Sequence, residues 1–252
     1  MKERHMKKDE KDSLTVYWAP AYTYNFEEEQ DWNILYREPE SLLSSLKNIK
    51  AKESKENSLL YCPAFTQMHK NTYVFSNSLE SSFGYDNSTN KLFSKKENFI
   101  GASIKRPPSL NSSLIISYNL KWIFFCEENV SIEVTPPYFN NFSYSNQGTF
   151  VPGSFNINTW FRSVNADFHM WENNTDFLIK KDDPIFYAKF TSEKNVILKR
   201  FAMNKELHRI YTSCVKYPDV FGRFNKLSDM YTDFKKSNTN LLVAKLVKEN
   251  LV

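Results

Sequence analysis

Between positions 115 and 125 the chain alternates with a period of two. Ile116, Tyr118, Leu120, Trp122 and Phe124 fall on one side, and Ile115, Ser117, Asn119, Lys121 and Ile123 on the other. A helix would scatter those five bulky side chains around its circumference, whereas a strand sets them on a single face. A face that apolar must be covered, so the segment demands a sheet packed against a second layer. Shorter runs of strand character recur at intervals of about ten residues, over 130–135, 155–159, 166–171, 176–181, 185–191 and 196–201. Aromatic residues make up 16% of the chain, led by 21 Phe and 14 Tyr, which suits a sheet-rich core. The spacing predicts a β-sandwich or barrel.

Helical periodicity is confined to the two ends. Leu42, Leu43, Leu46 and Ile49 form one stripe and predict a short N-terminal helix over 40–49. Near the C-terminus, Asn204 can cap a helix carrying Leu207, Ile210, Tyr211, Cys214 and Val215, ended by Pro218. A second helix is expected from about Asn225, with Leu227, Met230, Tyr231, Phe234, Leu241 and Leu242 on one side. The organisation expected is a disordered lead over 1–13, a β domain over 14–203 and two helices within 204–252 packed on the sheet. Residues 50–57 and 77–98 read as polar loops.

Several chemistries are excluded by what the chain lacks. With only 5 Gly in 252 residues there is little to build a Gly-rich phosphate loop from. Gly148 and Gly153 have the first spacing of such a loop, but Ser154 stands where a lysine is required. No G-x-S-x-G occurs. The three cysteines, Cys62, Cys126 and Cys214, are far apart and form no zinc pattern, so free thiols in a reducing compartment are expected. Cys126 ends an apolar strand and reads as an inert buried thiol; Cys62 has only His69 near it in sequence as a potential base. The acidic doublets Glu127-Glu128 and Asp182-Asp183 point to opposite faces if extended, and read as solvated turns.

Two sets of candidates survive. Asp167 and His169 are two apart on an expected strand and share a face, with Trp160 and Arg162 just upstream. If that face lines a barrel mouth, Asp167 could orient His169, or the two could bind a divalent metal with Arg162 as an anion anchor. The same pattern is met if Phe168 and Met170 face the core while Asp167, His169 and Trp171 line the outer surface. The second set is aromatic: Trp18, Tyr22, Tyr24 and Trp32 near the start, and Tyr138 and Phe139, followed by Phe142 and Tyr144, in a Pro/Asn-rich loop. Exposed, such residues would mark a partner or saccharide surface; buried, they would plug the ends of a sandwich.

The net charge is +4, unevenly spread: from Lys194 to Val252 there are 12 basic and 5 acidic residues, 12 − 5 = +7. A solvated helical face or a salt-sensitive contact with nucleic acid through the C-terminal helices would each use that excess. The first twelve residues have no apolar core of a signal peptide, and no apolar run is long enough to span a membrane.

A resemblance is carried by Arg106-Pro107-Pro108-Ser109, Tyr118-Asn119-Leu120-Lys121-Trp122-Ile123-Phe124, Thr135-Pro136-Pro137-Tyr138-Phe139, Pro152-Gly153-Ser154-Phe155, Trp160-Phe161-Arg162 and Asp183-Pro184-Ile185-Phe186-Tyr187, with Trp18-Ala19-Pro20 near the start. In these the chain resembles a family of uncharacterised proteins from marine tailed phages, to which no activity is assigned. Residues 155–190 also resemble cupin-like β proteins of unknown function. The fold expected is therefore mainly β, a jelly-roll or cupin-like β-sandwich. The function expected is a non-enzymatic, phage-encoded binding or particle-associated protein with a protein partner or self-association and no cofactor. Its place would be the host cytoplasm or the virion, neither secreted nor in a membrane. The alternative is a metal-dependent or small-ligand enzyme on a cupin-like scaffold.

Overall fold

The computed structural model describes residues 13–21, 35–50, 59–97, 100–106, 113–139, 142–171, 176–221 and 227–252. The lead expected over 1–12, the loop at 51–57 and Asn225 fall outside them. The protein is mainly β. Its strands are β1 (Ser13–Pro20), β2 (Glu40–Ser41), β3 (Thr72–Ser76), β4 (Ser81–Asp86), β5 (Lys91–Ser94), β6 (Ala102–Arg106), β7 (Ile115–Phe125) and β8 (Ser131–Thr135). They continue with β9 (Gly148–Phe150), β10 (Gly153–Asn156), β11 (Ser163–Met170), β12 (Asp176–Ile179), β13 (Pro184–Phe190) and β14 (Asn195–Arg200). Helices α1 (Leu42–Lys50) and α2 (Pro63–Met68) lie early, and α3 (Lys205–Phe221), α4 (Leu227–Lys236) and α5 (Thr239–Glu249) close the chain.

The long alternating segment is the spine of a six-stranded sheet, ordered β14-β1-β7-β11-β9. One edge of β7 pairs with β11 along most of its length. The other edge is shared: β6 pairs with residues 115–118 and β1 with residues 122–125. Pro20 can end β1 without loss. Ala21 donates its N–H to Lys121 O at 2.9 Å, so by alternation the Pro20 nitrogen faces the edge where β14 pairing has already stopped at Trp18. The β1–β14 pair is parallel. A five-stranded sheet, β10-β8-β13-β3-β2, and a three-stranded sheet, β12-β4-β5, complete the β part.

Two hydrophobic cores use the two faces of the spine. The inner one joins Val16 and Trp18 of β1, Trp122 and Phe124 of β7 and Phe168 of β11 to Phe75, Ile132, Phe186 and Phe190 of the five-stranded sheet and Phe83 and Phe177 of the three-stranded one. Phe75 is packed edge-on against Trp18, Trp122 and Phe124 with ring centroids 5.3–6.3 Å apart, contacts worth about 0.5–1.5 kcal/mol each beyond burial. The outer core sets Tyr17, Ala19, Ile123 and Phe125 against α3, α4 and α5. The six- and three-stranded sheets meet on one buried hydroxyl, joined there by the residue that follows β3. Tyr118 donates to Asn77 Oδ1 at 3.0 Å and shares a 2.9 Å hydrogen bond with Ser81 Oγ, while Asn77 Nδ2 donates to Lys180 O at 3.1 Å.

Four expectations are corrected. Ser13 opens β1 instead of closing a lead. Residues 77–98, expected as a loop, hold the β4–β5 hairpin; the serines of β4 are buried with their neighbours, and Asp86 closes the turn by accepting from Ser88 N and the Ser88 and Thr89 hydroxyls. The described residues hold three C-terminal helices, not two. The expected second helix breaks at Asn238, which takes a left-handed φ of 55° between α4 and α5. Pro218 does not end α3, which continues to Phe221; the proline leaves only one residual turn beyond it.

Trp122→Ala should cost about 3–5 kcal/mol, and Tyr118→Phe, which strands the Asn77 and Ser81 groups, about 1–3 kcal/mol. Ile197→Ala on the exposed side of β14 should stay within about 0.5 kcal/mol. Urea denaturation at neutral pH measures all three.

Candidate functional site

The structure divides the sequence candidates among separate places. Asp167 and His169 do share a face of β11, and it is the outer one: Phe168 and Met170 enter the inner core. β9 pairs with this part of β11 so closely that a Cβ at Gly148 would clash with His169 O. The Asp167 carboxylate pairs with Lys105 through Oδ2, and its Oδ1 is buried with no hydrogen-bond partner. The His169 ring stands edge-on to Trp171 at 5.8 Å, and Trp171 is exposed. Among the described residues no group of three or more His, Cys, Asp or Glu side chains gathers where it could hold a metal ion. Asp167 and His169 therefore fall short of the usual three protein ligands.

The aromatic set also separates. Trp18 is fully buried in the inner core, so its expected place in a binding loop is corrected: it lies on a central strand, beneath the Arg200 guanidinium at 5.0 Å. Tyr22, Tyr24 and Trp32 lie outside the described residues. Tyr144 is buried, whereas Tyr138 is half exposed. Tyr138 and Phe139 join Phe65, His69 and Tyr187, which the sequence did not single out as a group, in one aromatic cluster. His69 Nδ1 lies 3.2 Å from Tyr138 Oη, so the ring is committed to Tyr138 and not to Cys62. Burial, and then the Lys189 charge, hold His69 below its usual 6.5; burial pushes the Tyr187 phenol up to about 12. The adjoining cavity, under Phe139 and Tyr187, has a volume of only 160 Å³.

Trp160 and Arg162 lie under the C-terminal helices and lead to the larger opening, a cleft of 410 Å³. Its apolar floor is Trp160, Ile210, Cys214, Met230 and Phe234, and its polar rim is Arg209, Ser213, Asp233, Ser237 and Thr239. Two helices build it by the same device. On α3, Ile210 and Cys214 are four apart, each preceded by a polar residue, Arg209 or Ser213; α4 repeats this with Met230 and Phe234, with Asp233 before Phe234. The Trp160 ring packs on Phe234 at 5.6 Å and on Tyr231 at 5.2 Å. Arg162 supports that wall, its Nη1 3.5 Å from Tyr231 Oη and its guanidinium 5.3 Å over the Phe155 ring. It belongs to this wall and makes no described contact with Asp167. Burial pushes the Cys214 thiol up to about 12 and Cys126 up to about 11, so both stay protonated at neutral pH. The apolar stripes of α3 and α4 were legible; that part of them lines an opening rather than closing on the sheet was not.

The chain matches no family model, no curated protein and no solved structure. The basic excess of the C-terminal third is partly spent within the molecule. Lys248 pairs with Glu127 at 2.8 Å, Lys194 with Glu128 at 2.7 Å and Lys245 with Glu249 at 3.9 Å. No helix of the described residues is long and apolar enough to cross a membrane.

Two solution measurements follow from these environments. Iodoacetamide at neutral pH should label the native protein at the exposed Cys62 alone and, after unfolding, all three cysteines; mass spectrometry reads the count. Because His69 is held neutral in the fold, the unfolded chain gains a proton the folded one refuses as pH falls through about 6.5. Stability should decline from there toward the lower folded value and then level off. His69→Gln has no proton to gain and should flatten that decline in denaturant melts between about pH 8 and pH 5; an unchanged slope would assign the decline to other groups.

Proposed function

We propose that the protein is a non-enzymatic binding module, phage-encoded and particle-associated in keeping with the sequence resemblance, whose ligand enters the cleft beneath the C-terminal helices. The observation that carries this reading is the cleft itself. An apolar floor of 410 Å³ with a few polar groups at its lip has the size and chemistry of a small-molecule site. The thiol in its wall, Cys214, is held neutral by burial, which suits binding and not attack. A protein partner or a second copy is part of the same proposal, and sedimentation of the purified chain tests it. The full-length protein should bind the neutral apolar dye Nile red at one site, and Ile210→Trp, which fills the floor, should abolish the fluorescence gain while leaving the circular dichroism spectrum unchanged. Dye binding unaffected by Ile210→Trp would overturn the reading.

One observation favours a second reading. Oδ1 of Asp167 is a buried acceptor without a partner, two residues from His169 on the same face. In this reading the scaffold is cupin-like, Asp167 and His169 take a divalent metal or small ligand, and the ligand supplies the remaining donors. Elemental mass spectrometry of chelator-free protein decides: near one equivalent of a transition metal, lost in His169→Ala, would establish it. Nucleic-acid contact through the helices would appear as salt-sensitive retention on DNA. Lys235→Glu with Lys236→Glu tests it better than truncation, because Met230, Phe234, Val243 and Val247 are core residues.

A further inference from the structure

We infer that the ligand of the cleft is an amphipathic carboxylate with a medium-length apolar tail. This rests on the binding-module reading above and names its ligand class. The floor fixes the tail. Trp160, Met230 and Phe234 offer two aromatic faces and a flexible thioether, with the Trp160 indole N–H as the one strong hydrogen-bonding group among them, so a saturated chain can lie along the rings and the thioether. At about 30 Å³ per heavy atom, the 410 Å³ holds roughly a dozen heavy atoms, the size of decanoate.

The rim fixes the headgroup. The hydroxyl of Ser213 already donates to Arg209 O at 2.9 Å, and that of Ser237 to Phe234 O at 3.1 Å. Ser237 Oγ and Thr239 Oγ1 are 2.7 Å apart and satisfy one another. That leaves the two charged rim residues. Both Arg209 and Asp233 are exposed, and among the described residues neither has an ion-pair partner. Arg209 would seat a carboxylate and Asp233 an ammonium. The form of the charged group decides in favour of the anion. A guanidinium meets a carboxylate through two parallel hydrogen bonds, which an ammonium on Asp233 cannot match.

The experiment is displacement of Nile red from the full-length protein by decanoate, decanol and decylamine at fixed ionic strength. It is run on the parent chain and on Arg209→Gln, Asp233→Asn and Ile210→Trp. Decanoate should displace the dye about tenfold more tightly than decanol. Arg209→Gln, an exposed position where folding is not at stake, should erase that advantage and leave decanol unchanged. Asp233→Asn should leave decanoate binding equal or tighter. Equal affinity for decanoate and decanol, or no effect of Arg209→Gln, overturns the carboxylate while leaving the cleft as an apolar site. Preference for decylamine, lost in Asp233→Asn, overturns it in favour of a cation. Dye binding that survives Ile210→Trp overturns the cleft reading itself.

Discussion

Four consecutive residues of β7 hold the two hydrophobic layers of the molecule together. Trp122 and Phe124 face the other sheets while Ile123 and Phe125 face the helices, so the second half of the strand is buried on both sides. The first half behaves differently, with Ser117, Asn119 and Lys121 turned outward. This division of labour sets the register. A shift by one residue would still find apolar side chains for both faces at 122–125, but would drive Ser117, Asn119 and Lys121 into the inner core. The polar half fixes the alignment, and the apolar half joins the layers. With both edges also hydrogen-bonded, β7 has no freedom left, and the elements on either side are placed relative to it.

The candidate site inherits that placement. The helices dock on Tyr17, Ala19, Ile123 and Phe125, where the sheet presents a contiguous apolar outer face. Farther along, Asn165, Asp167 and His169 make the outer face polar, and the helical layer does not extend over it. Trp160 and Phe161 come just before β11, at the boundary between these regions. Phe161 is buried beneath the helices with Phe125 and Phe201, and Trp160 beside it becomes the wall of the cleft. The cleft is thus the place where the helical layer meets the connection into β11 without filling the space between them.

Several reactive side chains are held in their unreactive forms by burial. Two thiols are raised by burial, His69 is kept neutral among aromatic rings, and the Tyr118 and Tyr187 phenols are pushed well above their ordinary range. Burial is the dominant cause in every case, without the paired opposite charge that tunes a catalytic group toward neutrality. The Asp167–Lys105 pair on the outer face joins an exposed ammonium to a largely buried carboxylate. The cleft, with its apolar floor and an arginine at its lip, is a different kind of feature, and it is the one on which the proposed binding role rests.

The amino-acid sequence by itself determined the mainly β class, the spine at 115–125, the later strands from 130 to 201 and the helical character of both ends. In the spine, 131–135 and 163–170 the buried and exposed residues alternate with the period of a strand, so local pattern and final burial coincide, while 184–190, buried on both faces, is marked by its apolar run. It also placed Asp167 and His169 on one face, a consequence of strand geometry alone. Only the tertiary structure decided the rest. The hairpin at Ser81–Ser94 was hidden because its serines are buried through hydrogen bonds to residues distant in the chain, such as Tyr118. Trp18 could not be assigned to a core or a loop until β7 and β14 enclosed it. The cleft depended on how far three helices close over Trp160. A helical stripe states which side is apolar, but whether that side meets a neighbour or leaves a space is set by the shape of the surface it lands on.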